Sequence, residues 1–294
     1  STRTDLVKGL KSADAELPGR RRLWGRNVLV VAQVSMSLML LTAAFLMSRS
    51  FQQSLVDGTR FADAPLLLAR FDPRLVQYDL GQSSRFYEQL TARARALPGV
   101  EAAGLTQSPP LGLDDFDRLA FVPDGFEMPR DRENFISTMD TVDEGFFQTM
   151  DIPILWGRGV LPTDKADAPR VAVVNDQFAR HYWPTLPLAD VVGKRLRLDR
   201  STGPSVEIVG IAQTVKYRGT TETPTDFVYL PVAQHRVARL VLLLRTNADP
   251  LQWVGPLKGV VRDLDANLPI SELRTYRDLY RYHAVEGPGV AIDM

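Results

Sequence analysis

The residues best suited to proton transfer or metal binding are His181, His235 and His283, and their spacing serves neither task. No two of them lie one helical turn apart, so they cannot form a zinc pair of the His-Glu-x-x-His kind. His181 sits between Arg180 and Tyr182 on an expected surface helix. Asp114, Asp115 and Asp117 form the densest carboxylate cluster. It lacks the glycine and closing glutamate of a calcium loop, so it reads as a solvated loop, with a weak cation site as the alternative. Gly193-Lys194 looks like the end of a phosphate-binding loop. Leu188 stands where that loop needs its first glycine, however, and Arg195 replaces the Ser or Thr. The chain has no cysteine, which excludes disulfides, thiolate metal sites and a thiol nucleophile. It also has no G-x-S-x-G elbow. Trp156, Trp183 and Trp253, with Phe146 and Phe147, read as core residues rather than a ligand cage, and an exposed aromatic partner surface stays open. No catalytic, cofactor-binding or metal-ligating residue is assigned, and no cofactor is expected.

The longest uncharged segment is Val28–Met47, VLVVAQVSMSLMLLTAAFLM. A helix of about 20 residues is roughly 30 Å long, the thickness of a bilayer's hydrocarbon core. A signal peptide has a shorter apolar core ending in a small-residue cleavage site. A buried helix of a soluble protein is usually shorter and interrupted by polar residues. The segment therefore reads as a retained transmembrane helix. Gln33, Ser35, Ser37 and Thr42 are either tolerated there or packed on neighbouring helices. Arg20, Arg21, Arg22 and Arg26 precede it, whereas Arg49 stands alone after it until Arg60. The positive-inside rule places the N-terminus in the cytoplasm and the bulk of the chain outside. The zero net charge conceals this division, since residues 1–27 carry +4 and the part after residue 50 carries −5. Such a mildly acidic outer part, with scattered Lys and Arg, gives no sign of nucleic-acid binding.

The outer part shows one pattern twice. Leu66–Phe71 is a short apolar strand, followed by a helix from about Gly81 to Leu97 with Phe86, Leu90, Ala94 and Leu97 on one stripe. Pro98-Gly99 stops it, and Val100–Thr106 is the next strand. Leu240–Thr246 is again an apolar strand. Asp249 is a candidate N-cap with Pro250 behind it, and Leu251, Val254, Leu257, Val261 and Leu264 form a stripe. Leu268-Pro269-Ile270 opens another extended piece. Two such units are the halves of a ferredoxin-like α+β layer. Between them, Ser108–Asp117 reads as a loop and Phe135–Val142 as a strand. Glu144–Met150 reads as a short helix and Val171–Val174 as a buried strand. Asn175 is the candidate cap of a helix Asp176–Trp183, ended by Pro184. Lys194–Leu198, Val206–Ile211 and Phe227–Leu230 complete a β-rich second lobe.

These strings together resemble a known family. FYEQLTARARALPGVEAAGLTQSPPLG, GFFQTMDIPILWGRGV, VAVVNDQFARHYWP, GKRLRL, VEIVGIAQTVKYRG and FVYLPVAQ are similar to the extracytoplasmic core domain of MacB/FtsX-type ABC transporter permeases. RRRLWGRNVLVVAQVSMSLMLLTAAFLMSRSF resembles the first transmembrane helix of such a module, and residues 4–11 resemble the tail that ends a preceding one. The resemblance covers about residues 20–280. It implies a fragment of a duplicated permease, of the kind common in acidobacteria, in the bacterial inner membrane with a periplasmic main domain. The expected organisation is a tail at 1–27 and a transmembrane helix at 28–50. A porter-like subdomain at 51–107 and 237–282 is interrupted by a β-rich subdomain at 108–236, and 283–294 leads to a further helix. The implied partners are a separate cytoplasmic ABC ATPase, a periplasmic adaptor or client, membrane lipid and a second permease module in a dimer or pseudodimer. The implied action is mechanical and non-catalytic. A membrane-anchored binding or sensory module and an anchored hydrolase using an Asp/Glu pair are the alternatives.

Overall fold

The computed structural model describes residues 28–48, 64–110, 112, 116–126, 128–129, 131–217 and 222–281. The expectations for 1–27, 283–294, His283, Asp114 and Asp115 lie outside these residues.

Helix α1 spans Val28–Ser48, and all its residues are exposed. At 100° per residue, Gln33 and Ser37 share one face and Ser35 and Thr42 the opposite one. The four cannot pack on a single neighbour. Thr42 Oγ1 donates within the helix, 2.9 Å from the carbonyls of Leu38 and Met39.

The chain from Leu55 onward is a separate compact unit. Its elements begin with β1 (Leu66–Phe71), α2 (Leu80–Arg95), β2 (Val100–Thr106), β3 (Asp117–Pro123) and β4 (Phe135–Val142). Next come α3 (Phe146–Met150), β5 (Ile154–Gly157), β6 (Val171–Asn175), α4 (Asp176–Tyr182), β7 (Arg195–Leu198) and β8 (Ser205–Ala212). The last are β9 (Phe227–Pro231), β10 (Leu240–Thr246), α5 (Val254–Leu264), β11 (Ile270–Thr275) and α6 (Tyr276–Arg281).

Four strands form a fully antiparallel layer in the order β11-β1-β10-β2. Its side chains alternate between two cores. Leu67, Ala69, Phe71, Leu240, Leu242 and Leu244 pack on α2 and α5, against Phe86, Leu90, Leu257 and Val261. Leu66, Leu68, Val241 and Leu243 point the other way, into a core shared with the inserted lobe. A sheet buried on both faces explains the unbroken apolar runs LLLARF and LVLLLRT, which lack the alternation of a half-exposed strand. Helix α2 starts on a capping box, with Asp79 Oδ1 accepting from Gln82 N at 2.7 Å and Gln82 Oε1 from Asp79 N at 2.9 Å.

The inserted lobe is a closed barrel of six strands. The ring runs β3, β4, β9, β6, β8, β7 and back to β3, with β4–β9 and β6–β8 parallel. Closure leaves the ring no free edge. Side chains from all six strands meet in one cluster, including Phe121, Met139, Val174, Leu196, Ile208 and Val228. Helix α4 adds Phe178 and Tyr182 to it. Asn175 caps α4 by accepting from Phe178 N at 2.9 Å.

Several expectations are corrected. Asp117 opens a strand, β3, rather than closing a loop, because barrel closure pairs it with β4 and β7. The short β5, with most of its residues exposed, and α6 were not anticipated. Asp249 caps a 3-10 turn, Pro250–Trp253, instead of an α-helix. That turn shifts the phase, so Leu251 falls off the stripe and is exposed.

Candidate functional site: the seam between sheet and barrel

Strands β2 and β4 join the two lobes through one ladder pair, Thr106 and Val142. Two buried carboxylates reinforce it. Asp140 Oδ1 accepts from the backbone of Gln107 and Ser108, both at 3.1 Å, and of Thr141 at 2.7 Å. Its Oδ2 lies 2.5 Å from Thr106 Oγ1. Asp143 Oδ1 accepts from Leu105 N at 2.8 Å and Gly145 N at 3.0 Å. The backbone adds Gln107 N to Thr141 O and Asp143 N to Leu105 O.

Helix α2 reaches the same place through Arg95. Its Nε donates to Ala103 O at 3.0 Å, and its Nη1 to Glu144 Oε1 at 2.9 Å. Its Nη2 is 3.4 Å from Asp143 Oδ2. Burial pushes both aspartates up to about 7. For Asp143 the Glu144 charge adds to that rise, and the Leu105 amide and Arg95 oppose it. For Asp140 the Thr106 hydroxyl and three amides oppose it.

A groove of about 580 Å³ opens beside the seam. Glu88 and Arg95 of α2, Leu105 of β2, Val142 of β4, Lys165 and Arg236 are among the residues that line it. Of the carboxylates that line it, Asp143, Glu144 and Asp164 are engaged in ion pairs, Asp164 with Arg158 at 2.8 Å.

The residues singled out in sequence do not assemble. His181 is exposed on α4, with Nδ1 2.6 Å from Asp226 Oδ2, and stacks on Tyr182. His235 lies in the turn after β9, where burial lowers its pKa. Asp117 accepts from Gln107 Nε2 at 2.8 Å. Gly193-Lys194 precedes β7, and Gly193 N donates to Ile208 O. Among the described residues, no three His, Cys, Asp or Glu side chains could hold a metal. Phe146, Phe147 and Trp253 are core residues and Trp183 is half-buried. Trp156 is the exception at 49% exposure, because β5, the strand that carries it, lies off the main sheet and pairs with β8 alone. The seam residues escaped the sequence reading. The available signal was Asp140 inside the apolar alternation of β4, where a carboxylate needs partners to stay buried.

The MacB-like periplasmic core domain family matches residues 28–256, and the chain belongs to that family. This makes it a permease of the MacB/FtsX type carrying a periplasmic domain. The fold is similar to the periplasmic region of MacB from Actinobacillus actinomycetemcomitans, with 9% identity and a TM-score of 0.51, over 80% of this chain and 97% of that one. The extracellular domain of the noncanonic ABC-type transporter YknZ from Gram-positive bacteria matches at 11% identity and TM-score 0.44, over 71% and 99%. A domain of a putative permease from Porphyromonas gingivalis matches at 14% and 0.41, over 68% and 80%. No curated protein matches the chain by sequence.

Proposed function

We propose that this chain transmits ATPase-driven motion across the inner membrane to a periplasmic substrate or client, as the permease part of a MacB/FtsX-like ABC transporter. The N-terminus is cytoplasmic and a separate ABC ATPase supplies the energy. The carrying observation is the seam. The sheet shares its core with the barrel and is tied to it by Asp140, Asp143 and Arg95, so force applied to the sheet reaches the barrel. The order β11-β1-β10-β2 with α2 and α5 on one face supports a ferredoxin-like, porter-like subdomain from 51–107 and 237–282, interrupted by 108–236. The motion needs no bond chemistry from this chain, and a second permease module and a periplasmic adaptor complete the assembly.

The test uses the full-length permease reconstituted with its ATPase, spin-labelled at Glu88→Cys on α2 and Asp167→Cys on the barrel side of the groove. ATP turnover is expected to change the distance distribution between the labels. An unchanged distribution, or ATP hydrolysis by the permease alone, overturns the reading. A sensory module is favoured instead if a soluble ligand moves the labels and ATP does not.

A further inference from the structure

We propose that the groove beside the seam holds an extended peptide segment of a periplasmic partner, laid along α2. The inference names the kind of client segment the outer unit holds, and so rests on the reading that this unit acts on a client. Its test measures binding without ATP, so motion and binding can each fail alone.

The groove follows one face of a helix. Ser84, Glu88, Thr91 and Arg95 recur at helical spacing and all line it, so it runs for about 16 Å along α2. Its volume of about 580 Å³ over that length leaves a mean cross-section of about 35 Å². An α-helix with its side chains is about 10–12 Å across and needs roughly 80–110 Å². A single extended chain, from the spacings between strands and between sheets, needs roughly 50 Å². A groove open along one side therefore seats an extended chain and is too narrow for a helix. At about 3.3 Å per residue, its length takes about five residues.

One hydroxyl lacks the partner that a peptide backbone supplies. Thr91 lines the groove, and its Oγ1 is buried with no hydrogen-bond partner. The helical hydroxyls of Ser83, Ser84 and Thr149 instead donate to the carbonyl one turn back, at 2.8, 2.9 and 2.8 Å. A chain laid along α2 brings both an N–H and a C=O to Thr91, whereas a purely apolar occupant leaves the hydroxyl orphaned.

Charge selects the side chains of the segment. Leu105 and Val142 are buried members of the lining, so the depth of the groove is apolar. Glu88, Lys165, Asp167 and Arg236 also line it and are exposed, and none of the four forms an ion pair among the described residues. The matching segment has an apolar centre with an acidic and a basic side chain beside it.

The loop 160–167 is already set for binding. Gln234 Nε2 donates to Lys165 O at 3.2 Å and to Pro169 O at 3.0 Å, while its Oε1 accepts from Val171 N at 3.0 Å. Asp164 accepts from Leu161 N at 2.8 Å and pairs with Arg158 through both oxygens. Binding then costs little ordering on the side of this chain.

The test selects phage-displayed heptapeptides on the full chain in lipid nanodiscs, with binders to empty nanodiscs removed. Selected peptides are synthesised with a fluorescent label and titrated by anisotropy without ATP. Peptides with an apolar centre and both charges are expected. Ala92→Trp, which fills the groove from an exposed position on α2, is expected to weaken them about ten-fold or more. The double variant Lys165→Glu and Arg236→Glu is expected to weaken them roughly ten-fold, and replacing the peptide's acidic residue by lysine to restore the loss. If Ala92→Trp fails to fold, Ala166→Trp on the loop replaces it as the filling variant. No peptide enriched over empty nanodiscs, binding that a folded filling variant leaves unchanged, or selected peptides that turn helical on binding overturns the proposal.

Discussion

Gly104 on β2 and Gly145 before α3 cross with their backbones in contact. A Cβ on Gly104 would lie 2.7 Å from the Gly145 carbonyl carbon and from Phe146 N. A Cβ on Gly145 would collide with Ala103 O. The seam is therefore closed by the main chain itself, and its carboxylates are held where side chains have no room to move.

Gly104→Ala is expected to destabilise the outer unit by about 2–3 kcal/mol, the scale of overpacking at a site that cannot relax. Gly259→Ala is the control. It lies inside α5 with nothing within 4 Å of its Cβ. It should stabilise by about 0.5–1 kcal/mol through helix propensity. Urea midpoints of the two variants should move in opposite directions.

Asn175 serves two elements at once. Its Oδ1 accepts from Phe178 N at 2.9 Å and Phe227 N at 3.0 Å, and its Nδ2 donates to Thr225 O at 2.7 Å. Asn175→Ala removes a helix cap and leaves a β9 amide buried without a partner, at a cost of about 2–4 kcal/mol. Asn175→Asp keeps both acceptor bonds and should cost clearly less. Chemical denaturation followed by tryptophan fluorescence ranks the two.

Two tryptophans should behave oppositely. Trp253 is buried, donates from Nε1 to Pro98 O at 2.9 Å, and packs against Gly99. Trp253→Ala should cost about 3–5 kcal/mol. Trp156 is half exposed, so Trp156→Ala should stay within about 1 kcal/mol of wild type. Equal losses in thermal melts would contradict the burial difference.

Global stability should fall as pH rises from about 4 to about 7, because the folded state then binds more protons than the unfolded one. The cause is the raised Asp140 and Asp143. Asp72 and Asp265 have lowered pKa values, Asp72 through Arg74 and Asp265 through the Tyr78 hydroxyl. They act in the opposite sense only below about pH 4, weakly because they are solvated. Melting temperatures taken across that range should peak on the acidic side of neutral and flatten when both buried aspartates become asparagine.

Within α1, Gln33 and Ser37 lie opposite Ser35 and Thr42. Cysteines at the first pair should crosslink to a different neighbour than cysteines at the second pair in the full-length protein. Lipid-exposed labelling of all four positions would mean that α1 packs on no other helix.

The sequence alone determined what is local or periodic. An uncharged stretch of bilayer length makes α1. Unbroken apolar runs make β1 and β10, Asn175 caps α4, and Pro98-Gly99 ends α2, since each depends on neighbours within one turn or one strand. The apolar stripe of Phe86, Leu90 and Ala94 foretold the buried face of α2. Tertiary structure decided the rest. Closure of the barrel drew β3 from a segment whose Pro, Gly and Asp neighbours spoke for a loop. It also left Trp156 on the exposed β5 rather than in a core. The seam was least legible, because Arg95, Gly104, Asp140, Asp143 and Gly145 come from four places in the chain. A carboxylate declares itself buried only when the fold has brought it the donors that make burial tolerable.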